Sequence, residues 1–201
     1  MRALYVTHPQ VAMDANVPVP LWGLSPLGRQ RAEAFAARGV VPVGAMIFCS
    51  RETKAMQLAD IVAAAAQSLV LTDHLMGEND RSATGFLPPA LFEAAADRFF
   101  AEPRRSMEGW ERAIDAQARI VDTVRTALAS VPADTPAVFC GHGAVGTLLK
   151  CHIAGRPIAR AEDQSRHGDS GGGNCFAFDL DPDRLGGEWV AMEDFAAGWF
   201  G

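Results

Sequence analysis

Two short apolar runs, one at the start of the chain and one past its middle, each end on a histidine. Ala3-Leu4-Tyr5-Val6 is β-prone and leads through Thr7 to His8, where Pro9 removes a backbone donor, fixes φ and ends the ladder. Pro136-Ala137-Val138-Phe139-Cys140 leads through Gly141 to His142 and Gly143, glycines that let backbone come close to a ligand. In an open α/β sheet the carboxyl ends of the strands line the ligand crevice, so a histidine delivered there is placed for chemistry. Taken singly, each histidine fits a hydrogen-bonded structural role as well. The pair is what constrains the fold.

The chain between and beyond these runs alternates strand and helix patterns. Pro9 to Leu24 holds three prolines and no sustained periodicity, which predicts a loop over the top of the sheet. Ser25 and Pro26 start a helix that Gly39 closes. Ala45 to Cys49 is a second strand, and Ser50 then caps a predicted helix reaching about Ala66. Arg51 and Lys54 would stand at its N-terminus, a physical recipe for holding an anion, although a capped surface helix with solvated charges accounts for the same residues. Ser68 to Thr72 is a third strand. The stretch Asp73 to Pro89 has no helix or strand period but carries Glu78, Asp80 and Arg81, the composition expected of an active-site loop. Helices are predicted from Pro88-Pro89 to about Ala101, from about Trp110 to Ala129 and from Ala144 to Ala154. Gly171-Gly172-Gly173-Asn174 leads into a strand through Leu180, and Glu188 to Met192 is the last one.

Composition narrows the function classes. A chain of 201 residues fits one domain spanning 1–201, with a cap or insertion expected at about 73–109. Hydrophobic residues make up 49%, yet no apolar run approaches the roughly 20 residues of a membrane span, so no membrane partner is expected. Met1-Arg2 leads straight into the first strand without a secretory pattern, and a cytoplasmic location is expected. The four cysteines form no C-x-x-C pair and are read as reduced core residues. A net charge of -6 argues against a nucleic-acid partner. His74, His152 and His167 lack the strand-then-loop setting, and the histidines show no metal-ligand spacing, so neither a metal nor another cofactor is expected.

With these motifs in order, the chain resembles the histidine phosphatase superfamily, whose fold is phosphoglycerate mutase-like. That family has an Arg-His-Gly after its first strand, a Leu-Ser/Thr-x-x-Gly-x-x-Gln-Ala helix start, a Ser-Ser-x-x-x-Arg-Ala segment, an acidic loop and a late Ser/Gly-His-Gly. Here Thr7-His8-Pro9, Leu24 to Ala32, Cys49 to Ala59 and Gly141-His142-Gly143 stand at those places, over about Leu4 to Leu180. The resemblance implies a three-layer α/β/α sandwich with a mostly parallel sheet. It also implies a metal-independent phosphatase with His8 as the phosphorylated nucleophile, His142 as a donor to the phosphoryl group, Lys54 as a cation and Glu78 as general acid, with Asp80 its rival. Gly143 and Asn174 would contribute further contacts to a small phosphorylated substrate or a phosphoprotein.

The departures matter too. The family arginine before the nucleophile is Thr7, the glycine after it is Pro9, and the second arginine is Lys54, so two planar forks that grip phosphate bidentately are lost. Arg51, Arg81 or Arg166 would have to compensate. The alternative to a phosphatase is a catalytically silent relative that binds an anionic ligand or a protein partner. Trp110, Trp189 and Trp199 are expected to fill the core or an interface rather than to stack on substrate. The tail Phe195-Ala196-Ala197-Gly198-Trp199-Phe200 is expected to tuck into the core, a homodimer contact being the other use for so apolar an end.

Overall fold

Side-chain alternation along the strands divides the core in two. The computed structural model describes residues Met1 to Gly201. In β1 (Ala3–Thr7), Ala3 and Tyr5 join one apolar cluster while Leu4 and Val6 join another, as the two-residue period of a strand requires. The same split runs through β2 (Met46–Cys49), where Phe48 opposes Ile47 and Cys49, and β4 (Ala137–Gly141), where Phe139 opposes Val138 and Cys140. Helices α1 (Pro26–Ala37) and α2 (Thr53–Ala66) cover the aliphatic side, with Phe35, Leu58 and Val62 in its cluster. Helices α3 (Pro89–Ala101), α4 (Ala113–Ala129) and α5 (Gly143–Ile153) cover the aromatic side with Phe99, Phe100, Ile120, Leu148 and Leu149. Each large side chain so buried contributes about 1.5–3 kcal/mol, and together the layers make the three-layer sandwich.

The strand order is β3-β2-β4-β1-β5-β6, with β3 (Val70–Thr72) at one edge, β6 (Asp183–Leu185) at the other, and β7 (Val190–Ala191) also paired to β5 (Asn174–Leu180). β1 to β4 are mutually parallel and only β5 runs against the rest, so the sheet is mostly parallel. The register of the central pair positions the site. Thr7 lies opposite Gly141, and the His8 amide donates to the Gly141 carbonyl at 3.0 Å, so both histidines leave the sheet side by side.

Several boundaries differ from the sequence reading, each for a tertiary reason. The third strand keeps only Val70–Thr72, the residues that meet Ile47–Cys49. α4 starts at Ala113, because Trp110 is buried in a preceding turn with its indole N–H on Thr84 Oγ1 at 2.9 Å. α2 starts at Thr53 with Glu52 at its N-cap, so Ser50 is not the cap. A short β6 (Asp183–Leu185) and a one-turn helix α6 (Gln164–His167) carry too little periodicity to be read from sequence, and the last strand shrinks to two residues. The loop over the sheet is pinned by a bridge between Val11 and Leu24 and by a 3-10 turn at Val19–Leu21. The four cysteines are free and buried. In the tail, Phe195 and Trp199 pack on the aliphatic cluster and the Trp199 indole donates to the Val40 carbonyl at 2.8 Å. No helix is long and apolar enough to cross a membrane.

Candidate active site

His8 and His142 meet edge to face with ring centroids 5.2 Å apart. His8 Nδ1 lies 3.0 Å from the carbonyl oxygen of Pro9, which only accepts, so Nδ1 carries the proton and Nε2 keeps its lone pair. Burial, aided by the nearby Lys54 ammonium, pushes the His8 pKa down to about 4, so the ring is neutral near pH 7. His142 is fully buried. Burial pushes its pKa down to about 3 against the opposing pull of the Glu52 carboxylate. Its backbone is clamped by Tyr5, whose hydroxyl accepts from the His142 N–H at 3.1 Å and donates to its carbonyl at 3.2 Å. Gly141 makes that clamp fit, since a Cβ there would stand 2.2 Å from the Tyr5 oxygen. The His142 Nε2 meets Ser50 Oγ at 2.7 Å, while Nδ1 is buried with no partner.

The turn into α2 contributes a compact ion cluster. Ser50, fully buried, accepts the Glu52 N–H and faces His142, which is why it does not cap the helix. Glu52 was invisible as a site residue in the sequence, yet it joins three parts of the site. One oxygen accepts the Glu78 N–H at 2.9 Å and stands 3.4 Å from His142 Nε2, and the other pairs with Lys54. Burial would raise the Glu52 pKa, but His142 and Lys54 outweigh it and hold the carboxyl down at about 2. Lys54 is 3% exposed and also donates to the Val19 carbonyl at 3.1 Å. Arg51 is exposed and lines no cavity at this end, and Arg166 is likewise exposed, so neither is brought to the site.

The acidic loop enters beside the histidines. Arg119 from α4 fixes it by donating to the carbonyls of Leu75 and Gly77 at 2.6 and 3.0 Å. The Glu78 carboxylate accepts the N–H groups of Ala144 and Val145 at 3.1 and 3.0 Å, at the start of α5. Burial nevertheless raises its pKa above the usual carboxylate value. Asp80 is exposed, bonds the Ser82 amide at 2.9 Å, and is held low by that bond. The structure thus separates the two carboxyls that the sequence left as rivals. A cavity of about 220 Å³ holds His8, Lys54, Glu78, Arg81, Gly143 and Gln164 against a wall that includes Phe92, Phe99 and Trp110. A second cavity of about 540 Å³ adjoins it through Val19, Glu78, Asn79 and Arg81, and Asp80 lines only this outer one. Arg81 sits 4.8 Å over the Phe92 ring and makes no ion pair with any carboxylate.

Thr7 and Asn174 take a different place from the one expected. Both are fully buried, and Thr7 Oγ1 accepts the Asn174 N–H at 2.9 Å. Their side chains converge on Gln164, a residue whose only sequence signal is Asp163 before it, capping a one-turn helix. A phosphoryl group bound against His8 would meet a neutral imidazole, a lysine already paired to an acid, a free guanidinium and a carboxyl with a raised pKa. Away from this site, Glu162, His167 and Glu188 stand close enough to hold a metal ion, but both carboxylates already grip the Lys150 ammonium at 2.6 Å.

A family model for the histidine phosphatase superfamily (branch 1) matches residues 15–177, beginning just after Thr7-His8-Pro9. The fold is similar to that of mycobacterial glucosyl-3-phosphoglycerate phosphatase, with TM-score 0.76 at 21% identity, covering 94% of this chain and 98% of that one. It is also similar to mycobacterial hydrolase 2, with TM-score 0.73 at 21% identity over 94% of this chain and 90% of that one. Bacillus stearothermophilus YhfR gives TM-score 0.67 at 19% identity, with 99% and 98% covered. No curated protein sequence matches the chain.

Proposed function

The chain belongs to the histidine phosphatase superfamily, and from that premise we propose that it is a metal-independent phosphomonoesterase working through phospho-His8. His8 Nε2 attacks phosphorus in line while the ester oxygen leaves, and Glu78 gives its proton to that oxygen. The resulting Glu78 carboxylate then takes a proton from the water that hydrolyses the phosphohistidine. Lys54, Arg81 and the amide of Gly143, which opens α5 and has no intrahelical acceptor, offset charge on the phosphoryl oxygens. His142, buried behind the cavity wall, is assigned as a further donor on the family resemblance: with Nε2 accepting from the Ser50 hydroxyl, the proton sits on Nδ1, which has no partner in the protein and is left to donate to a phosphoryl oxygen. A buried polar atom left without a partner costs about 1–3 kcal/mol.

The observation that carries this reading is the Pro9 carbonyl on His8 Nδ1, which leaves the nucleophilic lone pair on Nε2 of a neutral ring lining the same cavity as Glu78. The substrate is a small phosphorylated compound or a phosphoprotein. The outer cavity receives the alcohol portion, with residues 73–109 acting as a cap. A second reading, a silent anion-binding relative, draws on the Glu52–Lys54 pair, which cancels the charge expected to grip phosphate. Hydrolysis of an aryl phosphate from about pH 5 to about pH 8 with EDTA present separates the two. The phosphatase reading expects turnover that is lost in His8→Ala; no turnover together with retained phosphate binding favours the silent relative.

A further inference from the structure

We propose that Gln164 is an oxyanion donor of the phosphoryl site, its amide turned to face the cavity by a chain of hydrogen bonds that ends on backbone. The chain starts at Asn174. Its Oδ1 accepts the Asp169 N–H at 2.7 Å and its Nδ2 donates to the Asp169 carbonyl at 2.8 Å, so backbone fixes which end of this amide is which. Gly168 makes that contact fit, since a Cβ there would lie 2.0 Å from Asn174 Oδ1.

The second Nδ2 proton of Asn174 points at Gln164, 2.9 Å away, and must meet an oxygen. Thr7 Oγ1 lies 2.6 Å from the same Oε1, nearer than the 3.4 Å to the Asn174 carbonyl, and its lone pair already takes the Asn174 N–H. Both lone pairs of Gln164 Oε1 are therefore filled, and Nε2 can only lie on the opposite side. There it has no acceptor in the protein and packs so closely on Gly143, which lines the cavity together with Gln164 and His8, that a Cβ on that glycine would stand 2.2 Å from it.

A donor with both protons free, held on a buried scaffold beside a nucleophile, is what an anion site uses in place of a charge. Thr7 and Asn174 are positioning residues in this scheme, and Gln164 touches the ligand. The inference rests on reading the His8 cavity as the phosphoryl site, but not on turnover.

The test is calorimetric titration of the whole protein with inorganic phosphate, beside aryl phosphate kinetics. Gln164→Glu keeps the acceptor for Thr7 and Asn174 and replaces the donor by an anion. It is expected to weaken phosphate binding by about 10- to 100-fold, the usual worth of a hydrogen bond to a charged group, with little change in melting temperature. Thr7→Val, which frees the amide to turn, is expected to weaken phosphate by a smaller factor, and Thr7→Ser to restore it. Phosphate affinity within about twofold of wild type in Gln164→Glu overturns the inference. If that variant does not fold, the same result in both Gln164→Met and Thr7→Val overturns it. Phosphate binding that responds to Gln164 in a protein with no turnover would instead sink the hydrolase reading and keep the donor.

Discussion

Replacing Glu78 by glutamine removes the proposed proton donor while keeping its size, and the expected damage depends on the substrate. A positioned general acid contributes about 10²- to 10⁴-fold, but only where the departing oxygen needs a proton. An alkyl phosphate leaves as a strongly basic alkoxide and should lose that full factor in kcat/KM. An aryl phosphate with an acidic phenol should lose less than about tenfold. Part of the loss is structural, because both Glu78 oxygens accept N–H groups from α5, and the glutamine NH₂ must face one of them. That exchange leaves a donor unsatisfied and costs about 1–3 kcal/mol of stability, to be read separately by urea unfolding. The pH profile supplies a second signature. Burial raises the Glu78 pKa, so the acid form persists above the usual carboxylate range, and alkyl phosphate turnover should fall as pH rises through that raised value. Glu78→Gln should lack this limb. The assay is steady-state hydrolysis of a paired alkyl and aryl phosphate series; equal loss on both substrates, with the pH limb unchanged, would refute the assignment.

Other perturbations test the surrounding structure. His8 and His142 titrate at about 4 and about 3 when folded, below the ordinary value of about 6.5. The unfolded chain therefore binds protons that the folded one does not, and stability should fall as pH drops below about 6.5 and stay level above it. Urea midpoints should show this slope, and His142→Ala should reduce it. Lys54→Met strands the Glu52 carboxylate and should cost about 3–5 kcal/mol; adding Glu52→Gln should recover part of that in a double-mutant cycle. Tyr5→Phe removes the hydroxyl on both backbone groups of His142 and should destabilise by about 1–3 kcal/mol in chemical denaturation. Gly143→Ala should displace the Gln164 amide and raise the KM for phosphate esters.

What was legible in the sequence is what local chemistry decides. The strands before His8 and His142, their burial on both faces and the helix capped by Ser25 follow from short apolar runs, proline and a cap, and the parallel register then brings the two histidines together. Ser50 shows where local reasoning fails: a serine before a helix is an ordinary cap, but the buried histidine that follows β4 engages its hydroxyl instead. Glu52, Arg119 and Gln164 were missed because their roles depend on partners distant in sequence, and their immediate neighbours carry no period or motif. Thr7 was legible as a departure from the family pattern but not as a scaffold residue, since its use is visible only once Gln164 and Asn174 stand beside it. Among the three arginines considered as substitutes, spacing could not choose; the cavity wall includes Arg81 and neither of the others.

The central claim is that phosphorus becomes bonded to His8. The most direct measurement is rapid quenching of the protein with an aryl phosphate in EDTA, followed by mass spectrometry of its peptides under basic conditions that preserve phosphohistidine. The account predicts a phosphoryl adduct on the peptide containing His8 that forms and decays as fast as turnover and is absent from His8→Ala. Turnover without that adduct, or turnover that survives His8→Ala, would contradict it.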